Sequence, residues 1–373
     1  MKITIIAGAR PNFMKIAPII EAIEQEASKG TDIQYRLVHT GQHYDKKMSH
    51  DFFEQLGIPL PDVNLEAGGG TQAEQTANIM VRFEQELVNN PTDLVLVVGD
   101  VTSTMACSIT AKKLHTKVAH VEAGIRSGDV SMPEEINRMV TDAITDYFFT
   151  TTEGAGENLR KSGISDEQIF FVGNTMIDTL LKQMHRFTKP EVWDQVQLRE
   201  NEYFVITLHR PANVDQEEDL KFLLDEIISL SRGLPIIFPV HPRTAQRLAG
   251  LGIEAPNLYM IEPLSYLEFN YLVKYAKAVI TDSGGITEET TVMGIPCMTL
   301  RNNTERPETC EIGTNELLGT DPKALAPAMA KLYEGSWKKG KIPDLWDGKA
   351  AQRIVTHLVA LSAAQEAARE QHV

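Results

Sequence analysis

The stretch Thr281-Asp282-Ser283-Gly284-Gly285-Ile286-Thr287-Glu288-Glu289 decides the fold of its half of the chain. It follows an apolar run, Ala278–Ile280, whose composition is typical of a buried parallel strand. Two glycines then allow a tight backbone turn, and a helix begins at once and continues to a stop signal at Gly294-Ile295-Pro296. A strand, a Ser-Gly-Gly turn and a helix together form an anion site, because backbone N–H groups and the positive end of the helix dipole point at one place.

Glu289 is the unusual residue of this stretch. A carboxylate one turn into the helix is poorly placed for a phosphate, but it is well placed to accept two hydrogen bonds from a vicinal diol such as a ribose. The combination predicts a nucleoside diphosphate, with its phosphates on Ser283, Gly284 and Gly285 and its ribose on Glu289. A capped helix after a core strand is the simpler interpretation of the stretch by itself, so the rest of the chain has to decide.

The alternation of strand and helix extends over the whole chain and predicts βαβ units with right-handed crossovers. The predicted strands are Ile3–Ala7, Ile33–His39, Leu94–Val98, Val118–Val121, Tyr147–Thr151, Phe170–Val172, Tyr203–Leu208, Ile236–Phe238, Leu258–Ile261, Ala278–Ile280 and Cys297–Leu300. Thr71 and Glu74 form a capping box that opens a long helix ending at Asn89-Asn90-Pro91.

This pattern predicts an α/β fold made of two Rossmann-like, doubly wound domains that face a cleft. We expect the first domain at residues 1–172 and the second at 173–348, with the polar stretch around Lys189-Pro190-Glu191 connecting them. The Ala-rich segment at about 349–370 is predicted to be a helix that crosses back onto the first domain. Ligands of such folds bind at the carboxyl edges of the strands.

The composition limits the possible partners. The chain has 373 residues, of which 42% are hydrophobic and 23% charged, as is usual for a soluble globular protein. A formal net charge of -15 argues against nucleic acid or an anionic membrane surface as a partner. Three cysteines without metal-type spacing, an N-terminus that enters a strand directly and the lack of a membrane-length apolar run predict a cytoplasmic protein.

Polar residues follow most of the predicted strands. They are Arg10, Lys15, Asp100, Glu122, His209, Arg210, His241, Arg243 and Ser283, while Glu134 and Glu135 lie on the loop or helix after Met132-Pro133. A single Asp after a strand is usually a helix cap, but polar groups after six strands predict a shared site. Acids facing a sugar can move protons to and from carbon or oxygen, and cations with a helix N-terminus can stabilise a departing diphosphate.

Other patterns indicate what the site lacks. The segment Glu153–Leu159 resembles a dinucleotide fingerprint, but Leu159 replaces the third glycine, so we interpret it as a turn that opens a helix. We find no Asp-x-Asp motif, no metal-ligand spacing and no serine or cysteine nucleophile constellation. The Gly99–Ser103 turn is equally compatible with a phosphate cradle and with a structural turn.

Taken together, the motifs resemble those of the bacterial non-hydrolysing UDP-N-acetylglucosamine 2-epimerases over almost the whole chain. The matching segments are Gly8-Ala9-Arg10-Pro11-x-x-x-Lys15, Gly99-Asp100, His120-Val121-Glu122-Ala123-Gly124-Ile125-Arg126-Ser127-Gly128, Pro133-Glu134-Glu135-x-Asn137-Arg138, Gly173-Asn174-Thr175, Thr207-Leu208-His209-Arg210, Pro239-Val240-His241, Thr281-Asp282-Ser283-Gly284-Gly285 and Thr304-Glu305-Arg306-Pro307-Glu308. Each motif is weak alone, but the ordered set is highly specific.

The resemblance implies the glycosyltransferase-B fold, with UDP bound mainly by the second domain. It also implies an isomerase that interconverts UDP-N-acetylglucosamine and UDP-N-acetylmannosamine. In this family UDP is eliminated across C1 and C2 to give 2-acetamidoglucal, and is then added back with C2 inverted. No cofactor or metal is implied. By analogy with the family we expect a homodimer that serves cell-surface polysaccharide synthesis.

The resemblance also implies roles for particular residues. Asp100, Glu122 and Glu134 would be the acid/base groups, and Arg10 and Lys15 would contact the diphosphate or the sugar. His209 would lie near the departing phosphate and His241 near the substrate. The remaining implied contacts are phosphate on Ser283, Gly284 and Gly285, ribose on Glu289, uracil on Phe269 and the backbone of Leu264, and substrate on Arg306.

Three departures from the family pattern leave the sugar and the allostery open. Ala9-Arg10-Pro11-Asn12-Phe13 replaces a Thr-Arg-Pro-Glu opening, Ala212 stands where many relatives carry Glu, and the Gln42-His43-Tyr44-Asp45 loop keeps part of an activation pattern. The alternatives are a 2-epimerase of a related UDP-acetamido or UDP-uronic sugar, the hydrolysing relative, a glycosyltransferase on the same fold and an inactive nucleotide-sugar sensor.

Overall fold

The computed structural model describes residues 1–42, 53–240, 245, 248, 250, 252, 253 and 255–370. It forms two compact units. Unit 1 comprises Met1–Lys182 together with Asp344–Val373, and unit 2 comprises Gln183–Pro343. Each unit contains one parallel sheet with helices between the strands, which confirms the predicted α/β class.

The strands are β1 Lys2–Ala7, β2 Gln34–His39, β3 Val63–Asn64, β4 Leu94–Val98, β5 Lys117–Val121, β6 Tyr147–Thr150, β7 Ile169–Phe171, β8 Phe204–Thr207, β9 Ile236–Pro239, β10 Leu258–Ile261, β11 Ala278–Thr281, β12 Cys297–Thr299 and β13 Asn315–Leu317. The α-helices bounded by described residues are α1 Arg10–Ser28, α2 Gln72–Asn89, α3 Thr102–Lys113, α4 Pro133–Ile144, α5 Glu153–Lys161, α6 Thr175–Gln183, α7 Glu191–Gln195, α8 Pro211–Val214, α9 Glu217–Leu230, α10 Tyr266–Tyr275, α11 Gly284–Met293, α12 Pro307–Glu311, α13 Leu325–Tyr333 and α14 Ala350–Glu370. Short 3-10 helices lie at Asp166–Gln168, Met184–Arg186 and Pro322–Ala324.

The two sheets have the same winding. The order in unit 1 is β3-β2-β1-β4-β5-β6-β7, and in unit 2 it is β10-β9-β8-β11-β12-β13. The direction of winding therefore reverses between β1 and β4 in unit 1 and between β8 and β11 in unit 2. Loops diverge at such a reversal and leave a crevice at the carboxyl ends of the two strands. The fold thus marks one preferred ligand position in each unit.

The central strands are apolar because helices cover both of their faces. All five residues of β4 are buried, and Val95 and Val97 pack with Phe83 of α2 and Ala106 of α3. In unit 2, β8 and β11 pair in register from Phe204 with Ala278 onward, and all four residues of β11 are buried. A strand buried on both faces has no polar alternation, which is why these runs were identifiable in the sequence.

All eleven predicted strands are present, with ends that differ by at most two residues. The predicted capping box is also confirmed: Thr71 Oγ1 accepts from Glu74 N at 3.2 Å, and the Glu74 carboxylate accepts from Thr71 N at 2.8 Å. The edge strands β3 and β13 were missed, because two or three residues are too few to show a periodicity.

The segment that resembles a dinucleotide fingerprint is helical from its first residue. Thr152 caps α5 by accepting from Ala155 N at 3.2 Å, so Gly154 and Gly156 lie inside the helix and not in a turn before it. None of the described helices has both the length and the apolar character needed to cross a bilayer. The described residues also contain no cluster of three or more His, Cys, Asp or Glu arranged to hold a metal ion.

The boundary of unit 1 differs from the predicted one. Residues 173–182 and 344–348, assigned to the second domain from the sequence, belong to unit 1 in the structure. Thr179 of α6 donates to Met14 O at 2.6 Å, and Trp346 Nε1 donates to Thr151 O at 3.1 Å. Asp178 accepts from the first backbone N–H groups of α14, so the C-terminal helix begins on unit 1.

Candidate active site

A buried ion pair joins the end of β5 to α1 in unit 1. Lys15 Nζ lies 2.6 Å from Glu122 Oε2, and the two side chains are 11% and 3% exposed. Glu122 is the first residue after β5 and has φ 67°, a left-handed conformation that costs a non-glycine residue free energy. Two predicted residues, 107 positions apart in sequence, are therefore in contact.

Gly99 explains how the end of β4 approaches this pair. Its φ is 69°, and a Cβ atom at this position would lie 3.2 Å from Lys15 Nζ and 3.6 Å from Glu122 Oε2. Only glycine combines this backbone conformation with so little volume. The peptide that leads into Asp100 therefore passes directly beside the Lys15–Glu122 pair.

Asp100 is held by α4. Arg138 donates to Asp100 Oδ2 from Nη2 at 2.6 Å and from Nε at 3.1 Å, and Asn137 Nδ2 donates to the Asp100 carbonyl at 2.9 Å. The Asp100 side chain is 32% exposed, so it stays open to a ligand. Asn137 and Arg138 belong to the Pro133–Arg138 motif quoted above, but no role was predicted for them.

Glu134 and Glu135 lie in the first turn of α4, where the helix dipole favours carboxylates. Glu135 is buried and accepts from the backbone N–H groups of Ser127 and Gly128 at 3.0 and 2.9 Å. Burial alone would raise the pKa of Glu135, but these bonds and Arg138 lower it below its usual value. Glu135 therefore stabilises the loop at Ser127 and Gly128 through its hydrogen bonds. Glu134 is half-buried and is the residue of this turn that remains accessible to a ligand.

The turn after β1 is fixed by Asn12. Its Oδ1 accepts from Gly8 N and Ala9 N at 3.0 Å each, and its Nδ2 donates to Val98 O at 3.3 Å. Asn12 is one of the departures from the family pattern, and here it ties the end of β1 to the end of β4. Arg10, the first residue of α1, is exposed next to this turn.

A second buried network lies behind the carboxylates. His120 of β5 is fully buried, with Nδ1 2.7 Å from Asp142 Oδ1 and Nε2 2.8 Å from Gly99 O. Asp142 Oδ2 accepts from Gly124 N at 3.0 Å and lies 2.7 Å from Arg126 Nη1. Burial would raise the pKa of Asp142, but His120 and Arg126 lower it. This network was not predicted from the sequence, since a buried histidine and an acid within a helix carry no local signal.

In unit 2, Asp282 organises the loop after β8. It is fully buried and accepts from the backbone N–H groups of His209 and Arg210 and from Asn213 Nδ2, at 2.9 to 3.2 Å. His209 Nδ1 lies 2.7 Å from Asp282 Oδ1, while the His209 side chain is 61% exposed. Burial would raise the pKa of Asp282, but the bonds from His209, Asn213 and Arg210 lower it to about 2.

The Asp282–His209 contact fixes which ring nitrogen of the histidine faces the protein, leaving the rest of the ring for a ligand. Asp282 stands within the Thr281–Gly285 motif, but no role was predicted for it from the sequence. The signal that could have identified it is its position directly after the buried strand β11, the neighbour of β8.

The helix after β11 forms as predicted, but Gly284 and Gly285 are its first two residues and not a turn before it. Ser283 precedes the first residue of α11, and the helix ends at Gly294 with φ 72°. A Cβ atom on Gly284 would lie 2.6 Å from Glu305 Oε1, so the glycine admits a carboxylate beside the helix N-terminus. Burial would raise the pKa of Glu305, but Arg301, 2.6 Å from Oε2, lowers it to about 2.

Glu289 lies in α11 and is buried. Tyr266 of α10 donates its hydroxyl to Glu289 Oε1 at 2.7 Å, so one of the two carboxylate oxygens expected to face a diol already has a donor. Burial raises the pKa of Glu289 to about 7, although the bond from Tyr266 acts in the opposite direction. Tyr266 was not identified from the sequence, because its contact depends on how α10 packs on α11.

The remaining predicted residues are placed as follows. Leu264 and Phe269 are half-buried at the edge of an apolar cluster around β11. Arg306 is buried, and its Nε lies 2.9 Å from Glu288 Oε1, so it links the loop after β12 to α11. His241 and Arg243 lie outside the described residues, as do His43, Tyr44 and Asp45.

Comparisons with known proteins agree on one family. The model of the UDP-N-acetylglucosamine 2-epimerase family matches residues 25–359. The UDP-N-acetylglucosamine 2-epimerase of Methanocaldococcus jannaschii is 41% identical over 95% of this chain and 98% of its own. A crystal structure of the M. jannaschii enzyme in complex with UDP-GlcNAc and UDP has a TM-score of 0.85 at 41% identity, covering 96% of this chain and 100% of that one. The UDP-2,3-diacetamido-2,3-dideoxy-D-glucuronate 2-epimerase of Pseudomonas aeruginosa is 36% identical, over 97% of this chain and 100% of its own.

Proposed function

Since this chain belongs to the UDP-N-acetylglucosamine 2-epimerase family, we propose that it is an isomerase that interconverts UDP-N-acetylglucosamine and UDP-N-acetylmannosamine. The observation that carries the proposal is the pair of carboxylates after neighbouring strands of unit 1. Asp100 and Glu122 follow β4 and β5, and each is bonded to a cation, Arg138 and Lys15 respectively.

The proposed chemistry is an elimination followed by an addition. A base removes the C2 proton, the C1–C2 double bond forms, and the C1–O bond breaks, so that UDP leaves with the bonding electrons. In the return step the phosphate oxygen of UDP re-forms the C1–O bond and a proton reaches C2 from the opposite face. The reaction needs no net oxidant or reductant, but it needs proton-transfer groups on both faces of the sugar ring.

Unit 1 would supply these proton-transfer groups. Asp100, Glu122 and Glu134 are the candidates, and general acid–base catalysis by such groups is worth about 10² to 10⁴ in rate. Arg138 and Lys15 hold two of the carboxylates in place, and a positioned group accelerates a reaction more than a mobile one. Arg10, exposed at the start of α1, would contact the diphosphate or the sugar.

Unit 2 would hold the nucleotide. The N-terminus of α11 at Ser283-Gly284-Gly285 suits a phosphate, because its backbone N–H groups and dipole favour negative charge. His209, fixed by Asp282, would donate to the departing diphosphate and stabilise its charge. Glu289 would accept from the ribose, Phe269 and Leu264 would contact the uracil, and Arg306 and His241 complete the proposed substrate contacts.

A second candidate is 2-epimerisation of a related UDP-acetamido or UDP-uronic sugar. The P. aeruginosa relative named for a diacetamido uronate supports this alternative. The two candidates share the nucleotide contacts and the proton transfers, and they differ only in the groups on the sugar ring. We propose further that the chain acts in the cytoplasm as a homodimer, without nucleic acid or membrane partners, in cell-surface polysaccharide synthesis.

Proton NMR of the protein with UDP-N-acetylglucosamine in deuterium oxide tests the proposal. We expect deuterium to enter at C2 while the signals of UDP-N-acetylmannosamine grow. Nucleotide binding without exchange at C2 would contradict this substrate, and the same experiment with the diacetamido uronic analogue would then test the second candidate. Free UDP that accumulates in step with N-acetylmannosamine would instead identify a hydrolysing enzyme.

A further inference from the structure

His120 makes two hydrogen bonds in the interior of unit 1, and both of its partners belong to other elements. Nε2 lies 2.8 Å from Gly99 O, at the end of β4, and Nδ1 lies 2.7 Å from Asp142 Oδ1, on α4. A carbonyl oxygen only accepts, so Nε2 is the donor in the first bond. The histidine is fully buried, so it has no access to a ligand and cannot act as an acid or base on one.

Gly99 is held from two sides. Its carbonyl accepts from His120, and the space where a Cβ would stand faces Lys15 Nζ and Glu122 Oε2. Its own N–H donates to Val121 O at 3.0 Å, which also ties it to the end of β5. The next residue is Asp100, so a shift of the Gly99 peptide would move one carboxylate and disturb the surroundings of the other.

Asp142 extends the same network to the far side of Glu122. Its second oxygen accepts from Gly124 N at 3.0 Å, two residues after Glu122, and lies 2.7 Å from Arg126. His120 and Asp142 therefore connect the loop after β4, the loop after β5 and helix α4, which also carries Glu134.

We propose that His120 is a positioning residue for the epimerisation: through Gly99 it sets the separation of the Asp100 and Glu122 carboxylates. The inference rests on the proposed function, and it adds a residue that contacts neither sugar nor nucleotide. It predicts that the bond to Gly99, more than the bond to Asp142, matters for turnover.

Two substitutions separate these bonds. The amide nitrogen of His120→Gln can take the place of Nε2 and still donate to Gly99 O. The amide nitrogen of His120→Asn can take the place of Nδ1 and keep the bond to Asp142. Both variants lose the ring and its packing, so they form a pair that differs in the retained hydrogen bond and in one methylene group, whose effect on packing the thermal midpoint reports.

The experiment compares the native chain with both variants. For each protein it measures kcat and KM for C2 epimerisation, the affinity for UDP by calorimetry, and the midpoint of thermal unfolding. Amide hydrogen exchange of residues 97–104 is measured in parallel. We expect His120→Asn to lower kcat about a hundredfold, as for a small misplacement of catalytic groups, with KM and UDP affinity unchanged. We expect His120→Gln to recover most of this loss, and exchange at Gly99–Asp100 to increase in His120→Asn alone.

Equal losses of kcat in the two variants, in proportion to their loss of thermal stability, would overturn the proposal, because they would show a purely structural role. A change confined to UDP affinity would also overturn it. If the native chain binds UDP but shows no exchange at C2, the proposed function itself fails, and the role of His120 in that reaction fails with it. The hydrogen exchange data would still report whether His120 holds the Gly99 peptide.

Discussion

The end of β4 in unit 1 and the end of β11 in unit 2 occupy equivalent positions in sheets of the same winding, yet they present opposite chemistry. In unit 1 the partly exposed group is a carboxylate, Asp100, and a cation, Arg138, donates to it. In unit 2 the carboxylate, Asp282, is buried, and the exposed group is the imidazole of His209, which follows the neighbouring strand β8. The winding of the sheet fixes where a site forms, while the residues after each strand decide whether it transfers protons or binds an anion.

The difference implies that substitutions in the two regions should have different consequences. In the proposed reaction the carboxylates of unit 1 transfer protons, so their loss should lower turnover and leave the nucleotide bound. The carboxylate of unit 2 serves the loop that carries His209, so its loss should lower stability and nucleotide affinity together.

The largest expected effect is on turnover in unit 1. Asp100→Asn keeps the shape of the side chain but removes its negative charge, and we expect kcat to fall by about 10² to 10⁴. Affinity for UDP, measured by calorimetry, should stay within about twofold of the native value, because most of the proposed nucleotide contacts lie in unit 2 and Asp100 is proposed for proton transfer. An Asp100→Asn variant with native turnover would remove Asp100 from the list of acid/base groups, and Glu122→Gln would then be the decisive test.

The next effect is on stability in unit 2. Asp282→Asn replaces a buried carboxylate that accepts from His209, Arg210 and Asn213, and it leaves some of these donors without an acceptor. We expect the free energy of unfolding of unit 2 to fall by about 3 kcal/mol and UDP affinity to weaken. Urea denaturation followed with and without UDP measures both quantities.

Acid titration offers an independent check on Asp282. Its folded-state pKa of about 2 lies below the unfolded value of about 3.9, so ionised Asp282 stabilises the fold above the unfolded pKa. This contribution, about 3 kcal/mol, should be lost as the pH falls from about 4 through 2. The Asp282→Asn variant should lack that part of the native pH dependence, and an identical acid profile in both proteins would contradict the assignment.

A smaller effect concerns Glu289. Burial raises its pKa to about 7, so below that pH the carboxyl is mostly protonated and accepts less well from a ribose. We expect the Kd for uridine to rise about tenfold between pH 8 and pH 6, in proportion to the ionised fraction. Uridine is the better probe because it lacks a titrating phosphate.

Glu289→Gln should show weaker binding of uridine that no longer changes with pH. The stability of the native chain should follow the opposite trend: a raised carboxyl pKa stabilises the native fold at low pH, and this contribution, which the Gln variant lacks, is lost as the pH rises through about 7. A native Kd that does not vary over this range would exclude Glu289 as an ionised ribose acceptor.

The smallest effect supplies a baseline outside both regions. Thr71→Ala removes the capping box of α2, an exposed feature of unit 1, and we expect a loss of about 1 kcal/mol in stability. Turnover and UDP affinity should equal those of the native chain, as thermal melts and the epimerisation assay would show. A loss of turnover here would mean that general stability, and not local geometry, controls the reaction.

The strands and the α/β class could be predicted from the sequence, because apolar runs and glycine positions are signals that involve only neighbouring residues. Val95 and Val97 belong to a run that is apolar throughout, and Gly284 and Gly285 follow a strand at the start of a helix. The candidate residues Lys15, Asp100, Glu122 and His209 were also identifiable, since each lies near the end of a predicted strand. The predicted boundary of the first domain differs from the observed boundary of unit 1, because the packing of α6 on α1 produces no local sequence signal.

The sequence by itself determined which residue types follow the strands, since hydrophobic periodicity and glycine or proline signals act over a few neighbouring positions. Only the tertiary structure decided which of those residues are partners: Lys15 with Glu122 across 107 positions, and His209 with Asp282 across 73. It also revealed that His120 and Asp142 hold Gly99 in place. The physical reason is that hydrogen bonds and ion pairs depend on distances of about 3 Å in space, and the order of strands in a sheet, not their spacing in sequence, sets those distances.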